Sequence, residues 1–369
     1  MATDESASAQ SGHGSGVTTV DKATVDGTTG PRHGRRLRPP WERRRKRRGR
    51  RSGRGAATAA ALAAALALSL AAGCTSGDGP ADDGRDTGRS PSGTDTAAHG
   101  QVLAVKIDNA PAARPQTGLD AADIVYVEQV EGGLSRLMAV YATRLPETVG
   151  PVRSARESDL ELLRQFDRPV LAFSGAQSKL LPLIGREPLE AVTPEDDEDA
   201  YYRGTDRAAP HNLYLRPGRV LPSAPGEAAL TTGFRHGPAP EGGTPTASRT
   251  VRYPAARFTF TWSGERRRWE VTTDGTPAVT ADGRRLAPAT VVVQYVNVRG
   301  SGYHDFLGSR TPYTQTVGSG TAQVLRDGRA HDVRWQRPRA ADGTRFTTRD
   351  GKPVAFTGGQ VWVVFAPAP

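Results

Sequence analysis

Residues 104–175 read AVKIDNAPAARPQTGLDAADIVYVEQVEGGLSRLMAVYATRLPETVGPVRSARESDLELLRQFDRPVLAFSG, and the fold turns on this stretch. Three apolar runs, Val102–Ile107, Ile124–Val130 and Leu134–Ala142, have the length and β-branched content of strands. The turns between them are dense in Asp, Asn, Glu and Arg. The third run leads into Gly150-Pro151-Val152-Arg153-Ser154-Ala155-Arg156-Glu157. Ser154 with Glu157 three residues on predicts a capping box, and Leu160, Leu163 and Phe166 give the helix it opens an apolar stripe. Arg153 then stands just before the N-cap and Arg156 in the first turn, where free N–H groups and the helix dipole already favour an anion.

The groups able to do chemistry sit at the ends of these strands. They are Asp108, Asn109, Arg114, Glu128, Glu131, Arg136, Arg153 and Arg156. If the three strands are neighbours, these side chains converge at one sheet edge. An Arg cluster with one or two acids suits phosphate or carboxylate, gripped through bidentate hydrogen bonds. The opposing reading is a buried ion-pair network that braces the turns, because acids and bases occur there in similar numbers. Farther on, His211 and Asn212 offer a base with an orienting amide, although Asn212 suits a turn or a cap equally well. Ser174-Gly175 lacks the G-x-S-x-G surround of a nucleophile, and no phosphate-cradling Gly loop or paired-His spacing is present. The acidic run Glu195–Asp199 lacks the Gly turn of a calcium loop and reads as a solvated loop. No metal and no cofactor is expected.

Four segments together carry a resemblance: DNAPAARPQTGL (108–119), ADIVYVEQVEGG (122–133), GPVRSAR (150–156) and PHNLY (210–214). They resemble the signature of the YerB-like bacterial lipoproteins, from about Gln101 to the C-terminus. The resemblance implies a two-part extracytoplasmic region and a family of unknown function. It names a family more firmly than it names an activity.

The chain before Gln101 is not core material. Residues 1–55 are polar and small, then basic, with thirteen Lys or Arg between Pro31 and Arg54; disorder is expected. Ala56–Ala72 is an apolar run of 17 residues ending at Gly73-Cys74. A basic segment, an apolar core and small residues before a cleavage point describe a secretory signal over 56–74. Leu70-Ala71-Ala72-Gly73-Cys74 looks like a lipobox, with Ala71 where Leu is usual, and makes Cys74 the lipidation site. An uncleaved anchor is the competing reading, at the short end of what spans a bilayer. Residues 75–100, rich in Gly, Ser, Asp, Thr and Pro, read as a flexible tether.

The signal also accounts for the charge. Residues 1–73 hold 14 Lys plus Arg and 5 Asp plus Glu, a net of +9, whereas the whole chain is +10. The exported part is therefore near neutral, and nothing points to nucleic acid. Cys74 is the only cysteine, so the exported part has neither disulfides nor a Cys-based zinc site.

Residues 101–235 mix strands with helices and predict an α/β (mixed α+β) N-terminal domain. Residues 236–250 read as a linker. From 251 to 369 the pattern changes to alternating strands such as Arg257–Trp262, punctuated by five Asp-Gly pairs, the strongest short-range hairpin signal. That predicts an all-β sandwich or barrel. Its Trp262, Trp269, Trp335 and Trp362 read as core rather than as a sugar-stacking surface.

The sequence thus describes a two-domain protein anchored by lipidated Cys74 to the outer face of the cytoplasmic membrane. Its expected role is to bind an anionic or carbohydrate component of the cell envelope or cell wall, or a protein partner, without catalysis. Two other classes stay open. The order of strand, Asp, Arg-bearing loop, strand and Arg-bearing turn is similar to LytR-type phosphotransferases, which implies an enzyme, a transferase or hydrolase, acting on polyprenyl-pyrophosphate-linked substrates. A structural scaffold without ligand is the third.

Overall fold

The computed structural model describes residues 100–305 and 308–368. The expected signal over 56–74, with Cys74, and the expected tether up to residue 99 lie outside the described residues. Chain order begins with β1 (Leu103–Asp108), β2 (Ile124–Gln129) and β3 (Ser135–Tyr141), then α1 (Glu157–Leu163), β4 (Val170–Ala172), α2 (Leu181–Ile184), β5 (Glu190–Val192), β6 (Tyr201–Arg203), β7 (Leu213–Leu215) and α3 (Pro217–Val220). There follow β8 (Thr244–Pro245), β9 (Ser248–Tyr253), β10 (Ala256–Ser263), β11 (Arg268–Thr273), β12 (Thr276–Pro277), β13 (Thr290–Val296), β14 (Val298–His304) and β15 (Arg310–Thr314). The chain closes with β16 (Gly318–Arg326), β17 (Arg329–Arg337), β18 (Arg345–Thr347) and β19 (Val361–Pro367).

The expectation of an α/β domain over 101–235 is corrected. Its three α-helices are single short pieces, and strands carry its architecture. Those strands do not stop at their own boundary either. One eleven-stranded sheet runs β18-β17-β16-β13-β19-β2-β3-β1-β4-β5, with β8 alongside β17. Its seam is the parallel pairing of β19 with β2, Val361 opposite Ile124 through Val364 opposite Val127. The later strands are all β as expected, but they complete the earlier sheet rather than close a barrel of their own. Within 236–250, β8 pairs with β17 and β9 begins at Ser248.

The physical reason is burial on both faces. Val105, Val125, Val127 and Leu137 face a four-stranded sheet, β12-β11-β10-β9, and pack against its Phe258, Phe260, Trp269 and Val271. Ala104, Tyr126, Met138 and Val140 face the other way, against Leu160, Leu162 and Leu163 of α1. A strand covered on both sides reads as a continuous apolar run, as β1 and β2 do. Trp269, Trp335 and Trp362 are all in the core.

Two of the five Asp-Gly pairs form the expected two-residue hairpin turns. Asp274-Gly275 between β11 and β12 and Asp327-Gly328 between β16 and β17 have positive φ at both residues (54° and 88°, 50° and 72°), the I′ geometry that matches strand twist.

Candidate functional site

Strands β1, β2 and β4 run in one direction, because β3 is antiparallel to both β1 and β2 while β4 is parallel to β1. Their C-terminal ends form one edge of the sheet. The register sets Asp108, Arg136 and Glu128 side by side across β1, β3 and β2. Residues 150–155 are threaded along the same edge: Asp108 N–H donates to Pro151 O, Arg153 N–H to Lys106 O, and Ala155 N–H to Gly175 O.

Two of the sequence segments meet here. Val152 N–H donates to Leu213 O at 2.6 Å. A Cβ at Gly150 would stand 2.7 Å from the Tyr214 ring and 2.9 Å from Leu213 O, so only glycine lets GPVR lie against PHNLY. Gly133, at φ 71°, closes the EGG turn on the β9–β10 corner, where a Cβ would fall 2.5 Å from Pro254.

Asp108 is 3 % exposed. Its Oδ2 meets Arg153 Nε at 3.0 Å and His211 Nδ1 at 2.8 Å, while Oδ1 accepts the Ala110 N–H at 3.1 Å. Asp108, rather than Asn212, is therefore what orients His211. Asn212 braces the β6–β7 hairpin, accepting from Arg203 at 2.9 Å and donating to Gly204 O at 2.8 Å. Asn109 is a hub of the turn: it donates to Ser135 and accepts from Arg114 and Gln116. Arg114 continues to Asp274 at 2.8 Å, tying this turn to the β11–β12 hairpin.

The helix begins later than the sequence suggests. Arg156, not Ser154, is the N-cap residue, and Asp159 rather than Glu157 reaches back, its Oδ2 accepting the Arg156 N–H at 2.6 Å. Arg156 therefore leaves the first turn and lies across Glu131, Nε to Oε1 at 2.6 Å and Nη2 to Oε2 at 2.8 Å. Thr311 on β15 adds a third donor to Glu131 at 2.6 Å. Burial pushes the Glu131 carboxyl up, but Arg156 and then Thr311 outweigh it and hold it down at about 2.

Beneath these groups lies a triad that sequence reading missed. Lys106, fully buried in β1, contacts Glu128 and meets Asp159 Oδ1 at 2.7 Å. Ser158 Oγ donates to the other Glu128 oxygen at 3.0 Å. Burial pulls Lys106 down to about 8, with Asp159 opposing. The available signal was a lysine inside VLAVKI (102–107), a run otherwise apolar on both strand faces.

Arg136 differs from the other arginines. It is half-buried, and its guanidinium extends past Asp108 and Glu128 to donate to Ser154 O at 3.1 Å. Among the described residues, no carboxylate lies within ion-pair distance of it. Burial first, then the Arg156 charge, pull it down to about 9, with the Glu131 and Asp108 charges opposing from beyond ion-pair distance. Charges balance over the whole cluster, with Lys106, Arg136, Arg153 and Arg156 against Asp108, Glu128, Glu131 and Asp159. The distribution is polarised, however. The surplus negative charge is sealed in the Lys106 triad, and the surplus positive charge is on Arg136.

Profiles of the two DUF3048 domains, described as protein of unknown function, match this chain: the N-terminal domain over residues 87–230 and the C-terminal domain over 249–363. The chain belongs to this YerB-like family. Over 114 residues it is 37% identical to "Putative lipoprotein YerB" of Bacillus subtilis (strain 168). That match covers 30% of this chain and 34% of the relative, so the chain spans about a third of the length of this curated relative. The crystal structure of YerB protein from Bacillus subtilis superposes with a TM-score of 0.60 at 22% identity, covering 72% of this chain and 91% of the other. At that identity the likeness is one of fold. Across the DUF3048 segments, the sheet edge just described draws on both: Arg114 of the first meets Asp274 of the second, and Glu131 of the first meets Thr311 of the second.

Proposed function

We propose that this DUF3048 protein is held at the outer face of the cell membrane by lipid on Cys74, and that the sheet edge at Arg136 and Arg153 binds a phosphate- or carboxylate-bearing envelope component. Arg136 carries the reading. A guanidinium brought out of water without a carboxylate partner is costly, and an anion beside it removes that cost. Arg153 adds a second grip, since only its Nε is spent on Asp108.

Calorimetric titration with pyrophosphate tests this. Arg136→Gln should weaken binding by roughly ten-fold or more, the loss of one charge-assisted hydrogen bond of about 1.5–3 kcal/mol. The melting temperature should hardly move, because no carboxylate is stranded. Unchanged affinity in Arg136→Gln would sink the reading. For the anchor, Cys74→Ala should release the protein from the membrane fraction or leave it unprocessed; an unmodified Cys74 in membrane-held protein, seen by mass spectrometry, would count against lipidation.

One observation favours a second reading. Asp108 engages His211 at Nδ1 and leaves Nε2 for a substrate, an arrangement suited to general-base work in an envelope phosphotransferase or hydrolase. Phosphate release from a polyprenyl pyrophosphate, lost in His211→Ala with pyrophosphate binding retained, is its expected result. No turnover by the wild type would remove it.

A further inference from the structure

A cavity of about 350 Å³ adjoins the arginine cluster, between the start of α1, the loop after β4 and the β14–β15 hairpin. Ser154 and Arg156 line it and also belong to the cluster, where Arg136 and Arg156 both donate to Ser154 O. Glu157 and Gln177 line it as well. Each of these two holds a buried oxygen, Glu157 Oε2 and Gln177 Oε1, that meets no donor among the described residues. Burial pushes the Glu157 carboxyl above its ordinary range, although the Arg299 charge and then a hydrogen bond with Ser301 oppose it.

Both orphan atoms are acceptors, and one is anionic. Native structures leave few such groups unmatched, and the chemistry that matches them is a cationic donor with several N–H bonds. A hard metal ion fits less well: no group of three or more His, Cys, Asp or Glu placed to hold a metal ion exists among the described residues. A primary ammonium needs only acceptor oxygens and supplies three donors. The cavity is at the small end of ligand-pocket volumes, enough for a short amine.

We propose that this cleft takes the ammonium end of a zwitterionic ligand whose anionic end lies on Arg136 and Arg153, the class to which aminoalkyl phosphates belong. The inference rests on the anion site proposed above.

Calorimetric titrations with inorganic phosphate, O-phosphoethanolamine and phosphocholine separate the two. The wild type should bind phosphoethanolamine roughly ten-fold or more tighter than inorganic phosphate, the effect of one charge-assisted hydrogen bond. Phosphocholine, whose quaternary nitrogen has no N–H, should gain nothing over phosphate. Glu157→Gln should reduce phosphoethanolamine to the affinity of phosphate and leave phosphate binding as it was; Gln177→Met should do the same in part, and serves alone if Glu157→Gln does not fold. Equal affinities for phosphate and phosphoethanolamine in the wild type would overturn the ammonium subsite while the anion site stands, and would mean that water satisfies the two oxygens. Absence of binding by all three probes would overturn both.

Discussion

Replacing Lys106 with Met should destabilise the protein by roughly 3–5 kcal/mol, the largest effect expected of any single change in the cluster. The Lys106 ammonium contacts Glu128 and Asp159, and all three side chains are out of solvent. Methionine fills the volume but leaves two carboxylates in a desolvated site with only Ser158 and the Arg156 N–H to stabilise them. Because Asp159 also caps α1, the helix should lose its seat on the sheet at the same time. For a protein of this size, each kcal/mol moves the melting temperature by about 2–4 °C, so the drop should exceed about 6 °C. Adding Glu128→Gln and Asp159→Asn to Lys106→Met should recover much of the loss. A loss under about 1 kcal/mol in urea unfolding would show that the carboxylates find other partners and that the triad does not hold α1 in place.

Arg156→Gln should also destabilise, by about 3 kcal/mol, and here pH supplies a second readout. Glu131 would keep the Thr311 hydroxyl but lose its two-point guanidinium contact. Its folded-state pKa of about 2 lies below the ordinary 4.5. A depressed carboxyl contributes stability that is complete above the unfolded value and disappears as pH falls through the folded one. In the wild type that contribution, on the order of 3 kcal/mol, should therefore drain away between about pH 4.5 and 2. In Arg156→Gln this acid limb should flatten, because the carboxyl no longer titrates so low. An unaltered acid limb would mean that Arg156 is not what depresses Glu131. Set beside the near-neutral Arg136→Gln, the result would sort two arginines of one turn region into a brace and a ligand group.

That sorting marks where sequence reading ends. The strands of 102–142, the apolar stripe after residue 157 and the I′ turns at Asp274-Gly275 and Asp327-Gly328 were legible, because periodicity and turn chemistry are local properties of the backbone. Membership of the YerB-like family was legible too, from four short segments whose contacts the fold explains: Gly150 is glycine because Tyr214 lies against it. The convergence of Asp108, Arg136, Arg153 and Arg156 followed from strand ends and turns that share one edge, whereas the arrival of His211 at Asp108 did not. The hairpin of β14 and β15 escaped, since its Gly, Ser and Arg content lacks apolar alternation, and with it went Thr311, which completes the shell of Glu131.

Other features had no local signature at all. Pairing of β19 with β2 joins residues more than two hundred positions apart, and no pattern within either strand says whether its free edge meets its own segment or another. The cap moved from Ser154 to Arg156 because Gly175 O and Lys106 O claim the N–H groups of Ala155 and Arg153 for the sheet edge, which delays the first helical turn. Whether an arginine braces or binds depends on which carboxylate its guanidinium can reach. Composition counts four acids and four bases in this cluster. Only the tertiary structure assigns Lys106 to two of those acids, and so leaves Arg136 as the cation with none.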